Sequence, residues 1–222
     1  MNIRARAKFA LIIAMAIGVS HARAGFAIAQ GASQINNASD TLGANYVPAG
    51  FGSLKQDDIA IKITLPGGLQ VAAIPLDERV IRLLAPDVYS TMSQVKQSNK
   101  RKIDSIANRV RLQGTLSLWY VRFFGVEQGE ARFSPQEFVI SNVGRDFRPI
   151  NIIPLTSGFA DYRLKQREVQ YALFVFDSQL DLNQPLTAKI EGNASATNWQ
   201  DVLRRIEQER AQVRSRAAAK TP

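Results

Sequence analysis

Few side chains in this sequence could do chemistry, because it has one histidine and no cysteine. The histidine, His21, lies inside an N-terminal segment that the sequence predicts to be removed. Without imidazole or thiol, a chain can form neither a Ser-His-Asp triad nor a thiol nucleophile, and Cys or His zinc sites are excluded likewise. No phosphate-binding glycine motif occurs either. We therefore predict a non-enzymatic protein with no catalytic residues, no metal site and no cofactor.

Two arrangements would still allow catalysis. The segment Ser93–Lys96 matches the S-x-x-K motif of β-lactamases and penicillin-binding proteins. The S-D-N and K-T-G motifs that accompany it in those enzymes do not follow. A pair of carboxylates could hydrolyse a glycosidic bond. The candidate pairs stand beside turns, where acids commonly cap backbone groups, and are Glu127 with Glu130 and Asp177 with Asp181. A carbohydrate-active enzyme therefore remains the alternative from a different functional class.

A calcium site is the remaining candidate for metal chemistry. Asp177, Asp181 and Asn183 place three oxygen-bearing side chains within seven residues, and oxygen ligands are what Ca²⁺ takes. The spacing of the EF-hand loop is not met. A plain loop is the favoured interpretation.

The first 24 residues have the pattern of a secretory signal peptide. Three basic side chains within residues 4–8 precede the apolar run Phe9–Val19, and the small-residue site Ala22–Ala24 follows. The run has 11 residues, whereas a membrane-spanning helix needs about 20. An uncleaved anchor reaching Ala29 is the alternative, although two polar residues interrupt it. We predict export to the periplasm or envelope of a bacterium, with cleavage after residue 24 or 29.

The formal net charge of +9 is unevenly distributed. Residues 1–24 carry four basic side chains and no acid, so their removal leaves +5. Residues 96–111 hold six basic side chains against Asp104, and residues 200–222 hold six against three acids. Outside the cytoplasm the available polyanions are lipid headgroups, polysaccharides and other proteins. Nucleic acid is therefore not a predicted partner.

The strand pattern predicts a mainly β (α+β) domain over residues 57–196. Ile59 to Ile74 alternates around a Pro-Gly-Gly turn, and Thr115–Val126 and Val169–Phe176 are dense in β-branched and aromatic residues. Short strands with turn signals every 8–12 residues or so are typical of an antiparallel sandwich. The layout resembles immunoglobulin-like β-sandwiches of bacterial envelopes. The resemblance implies two packed antiparallel sheets.

Three segments depart from the strand pattern. Apolar residues recur every three or four positions between about 77 and 111, which predicts an inserted helical segment. Thr197–Gln200 fits a capping box at the start of a C-terminal amphipathic helix, whose apolar stripe thins after Ile206. We therefore predict a helix with a frayed tail over 197–222. Residues 30–56 are rich in Gly, Ala, Ser and Asn, which predicts a flexible leader, with an added edge strand around Tyr46, Val47 and Phe51 as the alternative for part of it.

The surface composition favours binding to another envelope protein as an adaptor or assembly component. Residues 156–168 bring aromatic and arginine side chains together between two core strands, and protein interfaces are enriched in both. The competing interpretations are a charged edge strand and a C-terminal helix docked on its own domain. Anionic lipid or polysaccharide is the alternative partner. The predicted contact residues are Phe159, Tyr162, Arg163, Arg167, Arg204, Arg205 and Arg210.

Overall fold

The fold is mixed α/β, with mostly antiparallel sheets and a C-terminal helix. A computed structural model describes residues 47–110 and 115–220. The predicted signal peptide over 1–24, its cleavage sites and residues 30–46 of the predicted leader lie outside the described residues. The predicted antiparallel strands and C-terminal helix are present.

Eleven strands occur in the described ranges, and every strand pairing among them is antiparallel. They are β1 (Ile61–Leu65), β2 (Leu69–Pro75), β3 (Ser117–Gly125), β4 (Glu130–Arg132), β5 (Val139–Asn142), β6 (Arg145–Phe147), β7 (Asn151–Pro154), β8 (Arg163–Lys165), β9 (Val169–Phe176), β10 (Leu186–Ile190) and β11 (Asn193–Ala194). One sheet has the order β1-β2-β3-β9-β7, and another has the order β11-β10-β5-β6. Strands β4 and β8 form a separate two-stranded ribbon.

The side-chain alternation of β3 explains its place at the centre of the five-stranded sheet. Trp119, Val121 and Phe123 are fully buried, whereas Tyr120 and Phe124 on the other face are half-buried. Successive residues of a strand point to opposite faces, so one face of β3 belongs wholly to the core. The dense β-branched and aromatic composition of this segment suits such a position.

Both larger sheets contribute to one hydrophobic core. Phe138, directly before β5, packs edge-on against Phe174 of β9, with ring centroids 5.3 Å apart. Trp119 of β3 contacts Trp199 of the C-terminal helix at 6.3 Å. Aromatic pairs of this geometry contribute about 0.5–1.5 kcal/mol beyond the area they bury. The core therefore joins the two sheets and the C-terminal helix.

Helices occupy the stretch between β2 and β3 where helical spacing begins in the sequence. They are α2 (Glu78–Ile81), α3 (Pro86–Ser98) and α4 (Lys100–Val110), and a short α1 (Gln56–Ile59) precedes β1. Asp77 caps α2 by accepting the Arg79 backbone N–H at 2.8 Å. Asn99 separates α3 from α4, and its Nδ2 donates to the Val95 carbonyl at 2.9 Å. Within the described ranges no helix is both long and apolar enough to cross a membrane.

Residues 47–56 differ from the predicted flexible leader because they pack against the body. Val47 and Leu54 are buried in the core. The Leu54 N–H donates to the Leu83 carbonyl at 3.1 Å, and the Ala85 N–H donates to the Leu54 carbonyl at 2.9 Å. The few apolar residues here have no regular period, so the sequence indicates at most a packed edge strand and not the contacts that order the segment. The prediction of a flexible leader is therefore wrong for residues 47–56.

The C-terminal helix α5 (Trp199–Lys220) also differs from its predicted frayed end. Glu209, Arg210 and Val213 are buried. Thr197 does not form the predicted capping box, since its Oγ1 accepts the Lys62 N–H at 2.9 Å while Asn198 caps the helix. The apolar stripe weakens after Ile206 because polar contacts replace it.

Those polar contacts form a clasp between the two ends of the described chain, made of Phe51, Ser53, Glu209 and Arg216. The Glu209 carboxylate accepts the Ser53 N–H at 2.8 Å and the Ser53 hydroxyl at 2.9 Å. It also accepts Arg216 Nη1 at 2.8 Å, and the same Nη1 donates to the Phe51 carbonyl at 2.6 Å. The clasp holds α5 against residues 51–53. The predicted fraying of the C-terminal tail is therefore wrong for the described part of the helix.

The turn between β5 and β6 places a β-branched residue in a left-handed conformation. Val143 has φ 50° and Gly144 has φ 71°, between the paired Asn142 and Arg145. Two positive φ values in a two-residue hairpin loop define a type I′ turn, which favours Asn-Gly. We expect Val143→Asn to raise the free energy of unfolding by about 1 kcal/mol, because the left-handed region costs valine most.

Urea denaturation of the Val143→Asn variant measures this gain. Val143 is 68% exposed, so the change removes little packing. Glu191→Asn is the control, since Glu191 also has φ 48° but its carboxylate accepts the Ser134 N–H at 2.6 Å. Loss of that bond should offset the gain at position 191. An unchanged or lowered stability of Val143→Asn would contradict the strain argument.

Candidate functional site

The ribbon of β4 and β8 has two different faces. The outer face is charged, and the inner face is apolar. Its register pairs Glu130 with Lys165, Ala131 with Leu164 and Arg132 with Arg163. Leu164 is buried, whereas the charged side chains of both strands are exposed. Strand alternation therefore places all four charged side chains on the same solvent-facing side.

Two arginines stand directly opposite each other on this face. Like charges at opposite positions of an antiparallel pair destabilise it. Glu130 Oε1 lies 3.3 Å from Arg163 Nη1 and balances one of them. The Arg132 side chain has no ion-pair or hydrogen-bond partner among the residues that the structure describes. The ribbon thus holds an unbalanced guanidinium at the surface.

The acid that follows the ribbon does not neutralise Arg132. The carboxylate of Glu168 accepts the Lys165 N–H at 2.8 Å and Gln170 Nε2 at 3.3 Å. The Lys165 backbone bond, with help from Gln170, lowers the pKa of Glu168. Glu168 is therefore committed, in its charged form, to its own turn.

Tyr162 adds a rigid aromatic side chain beside the arginines. It directly precedes β8, has φ 51° and is 38% exposed. Its ring packs edge-on against Phe133 at 5.9 Å and Phe159 at 6.1 Å, and its hydroxyl accepts Gln136 Nε2 at 3.0 Å. A left-handed tyrosine is strained, and such strain clusters at ligand-binding sites. We name the ribbon surface by its residues: Arg132, Tyr162, Arg163, Lys165 and, in the following turn, Arg167.

The structure brings together some of the predicted contact residues and separates others. Tyr162, Arg163 and Arg167 lie on or beside the ribbon. Phe159 and Arg210 are buried and contact other residues of the chain. They are therefore removed from the predicted partner-contact residues. Sequence reasoning missed Arg132, because β4 is three residues long and its register with β8 is a tertiary feature.

The two predicted arginines on α5 have partners of their own. Arg204 pairs with Asp201 one turn earlier. Arg205 Nη1 donates to the Asp58 carbonyl at 2.9 Å, which ties α5 to the end of α1. Neither arginine adjoins the ribbon through any of these contacts. The ribbon surface therefore includes neither of these α5 residues.

Most of the side chains considered for catalysis are engaged in ion pairs or turns, whereas the Ser93 hydroxyl and the Glu127 carboxylate have no partner among the described residues. Lys96 Nζ donates to Glu78 Oε1 at 2.5 Å rather than to Ser93. Asp177 and Asp181 accept the N–H groups of Gln179 and Asn183, each at 2.9 Å, as turn acids do. Within 47–110 and 115–220, no group of three or more His, Cys, Asp or Glu side chains could hold a metal ion.

Comparisons with family models, curated proteins and solved structures found no match to this chain. The resemblance to immunoglobulin-like sandwiches therefore rests on the strand pattern of the chain itself.

Proposed function

We propose that this chain is an exported, non-enzymatic binding protein of the bacterial cell envelope, an adaptor or assembly component that contacts another envelope protein. The opposed arginines Arg132 and Arg163, next to the exposed Tyr162, carry the proposal. The export rests on the charged, apolar and small-residue order of residues 1–24.

An acidic group on a partner would relieve the charge imbalance of the ribbon surface. Arginine forms paired hydrogen bonds with carboxylates, and the bond strengthens when water is excluded. Arg132 has no competing acid within the described residues, so it is available for such a bond. The expected partner patch therefore carries at least one exposed carboxylate.

The ring of Tyr162 would supply the apolar part of the same contact. Tyr and Arg are the side chains that most often dominate interface energies. Because Phe133, Phe159 and Gln136 already hold the ring, little side-chain entropy is lost on binding. The partner is expected to offer a shallow apolar site beside its acid.

The scaffold we propose for this surface is an immunoglobulin-like β-sandwich over 57–196. Support comes from the two antiparallel sheets of five and four strands that share one core, with Phe138 against Phe174 between them. The ribbon then belongs to the connections between the strands of the sandwich, and such connections commonly carry recognition residues.

Photo-crosslinking from position 162 in the native cell tests the proposal. A photoreactive phenylalanine at Tyr162 is expected to give a discrete adduct in the envelope fraction, and Arg132→Glu with Arg163→Glu to abolish it. The same probe at Thr91, exposed on α3, is the matched control and should give none. Absence of the adduct, its survival in the double variant, or its recovery only from the cytoplasm would contradict the proposal.

A further inference from the structure

Helix α4 carries a stripe of basic side chains on its solvent side. Arg101, Ser105 and Arg109 follow one another at four-residue spacing, and Lys102 lies three and seven residues from the last two. These positions share one face of a helix. The stripe extends about 12 Å, at a rise of about 1.5 Å per residue. All four side chains are exposed.

The cations of this stripe are not neutralised by any residue that the structure describes. Asp104, the single acid of α4, pairs with Lys100 at 2.8 Å. The side chains of Arg101, Lys102 and Arg109 make no ion pair or hydrogen bond with any residue in the described ranges. Three positive charges therefore face solvent along one line.

The first turn of α4 also places cations where they weaken the helix. Lys100, Arg101 and Lys102 open α4, and its first turn holds no acid. The N-terminal end of a helix is the positive end of its dipole, so cations there are unfavourable. Helices α2 and α5 follow the opposite rule, with Glu78 and Asp201 in their first turns. Asp104 compensates Lys100 but not Arg101 or Lys102, and a local rule broken without a compensating contact is a sign of function.

We propose that the α4 stripe, made of Arg101, Lys102 and Arg109, docks on a bilayer surface that contains anionic lipid. A convex helix face with cations in a line suits a planar negative surface better than a compact anion. The inference rests on the proposed export and is independent of the ribbon surface.

Vesicle binding by the processed, exported chain tests this inference. Phosphatidylcholine vesicles with about 30% phosphatidylglycerol, which carry a negative surface potential, are compared with phosphatidylcholine alone. One basic side chain near such a surface contributes about five-fold in affinity, so Arg101→Gln, Lys102→Gln and Arg109→Gln together should weaken binding about 100-fold. Rising salt should weaken wild-type binding steeply.

Two controls separate the stripe from net charge and from unfolding. Arg132→Gln, Arg163→Gln and Lys165→Gln remove the same charge from the ribbon surface and should leave vesicle binding within a few-fold of wild type. The α4 triple variant should melt within a few degrees of wild type, because Arg101 and Lys102 leave the positive end of the helix dipole while Arg109 leaves the negative end. Ser105→Trp, within the stripe, should shift its emission to shorter wavelength on anionic vesicles, since Trp119 and Trp199 are buried.

Several results would overturn the inference. These are equal binding to both kinds of vesicle, no binding to either, an α4 triple variant that binds like wild type, and an equal loss in the ribbon control. Stripe-dependent binding to soluble dextran sulfate without binding to vesicles would also overturn the lipid assignment. None of these outcomes changes the position 162 adduct, so failure here and failure of the proposed function are distinguishable.

Discussion

Replacing Trp199 by alanine is expected to lower the free energy of unfolding by about 3–5 kcal/mol, which is typical of a buried large aromatic. Trp199 is 2% exposed, opens α5 and contacts Trp119 at 6.3 Å. Its Nε1 donates to the Leu182 carbonyl at 2.8 Å in a fully buried bond. The alanine variant loses the ring contacts, leaves a cavity and strands a buried carbonyl. Detachment of the first turn of α5 is the expected local consequence.

Urea denaturation followed by circular dichroism measures this loss. Trp199→Phe keeps most of the ring packing but removes the N–H, so it should cost about 1–2 kcal/mol. Arg204→Ala is the matched control on the same helix, since Arg204 is 76% exposed and such changes stay within about 0.5 kcal/mol. If Trp199→Ala costs no more than Arg204→Ala, α5 is not held on the core as described.

Gly52→Ala is expected to cost about 2–3 kcal/mol, in the range of overpacking a close contact. A Cβ at position 52 would lie 2.2 Å from both the carbonyl carbon and the oxygen of Leu83. Backbone atoms cannot turn aside as a side chain does, so the strand-like contact of Leu54 with Leu83 and Ala85 must open. The same displacement moves Ser53 away from Glu209 and weakens the clasp.

Gly50→Ala separates this steric effect from backbone strain. Gly50 has φ +89° but nothing within 4 Å of its Cβ direction, so alanine there should cost about 1 kcal/mol. Urea denaturation gives both values, and limited proteolysis should cut within 47–54 in Gly52→Ala alone. Equal costs for the two variants would mean that the close approach of residue 52 to Leu83 does not limit stability.

Local patterns predicted the secondary structure wherever one periodicity prevailed. The density of β-branched and aromatic residues placed β3 and β9, which pair along their length at the middle of the five-stranded sheet. The three- and four-residue spacing of 87–110 corresponds to α3 and α4, with the break at Asn99. Residues 47–56 have neither periodicity, and tertiary contacts with Leu83, Ala85 and the clasp residues of α5 order them.

Part of the candidate site was also accessible from residue types. Tyr162 and Arg163 belong to a segment whose mixture of aromatic and basic residues indicates recognition. Phe159 in the same segment is buried, because the short helical turn Ser157–Asp161 directs it into the core. Arg132 belongs to the candidate site only because the register of β4 and β8 places it opposite Arg163.

The sequence by itself determined which reactive side chains are present and where most of the strands and helices lie. Residue type and short-range spacing suffice for that, because hydrophobic periodicity acts over a few positions. Only the tertiary structure decided which charges are buried and which are free. Ser53 and Glu209 are 156 residues apart in the chain but hydrogen-bonded, so Glu209 is buried. Arg101 and Arg109 are exposed and have no such contact with the residues that the structure describes, and no local pattern distinguishes the two cases.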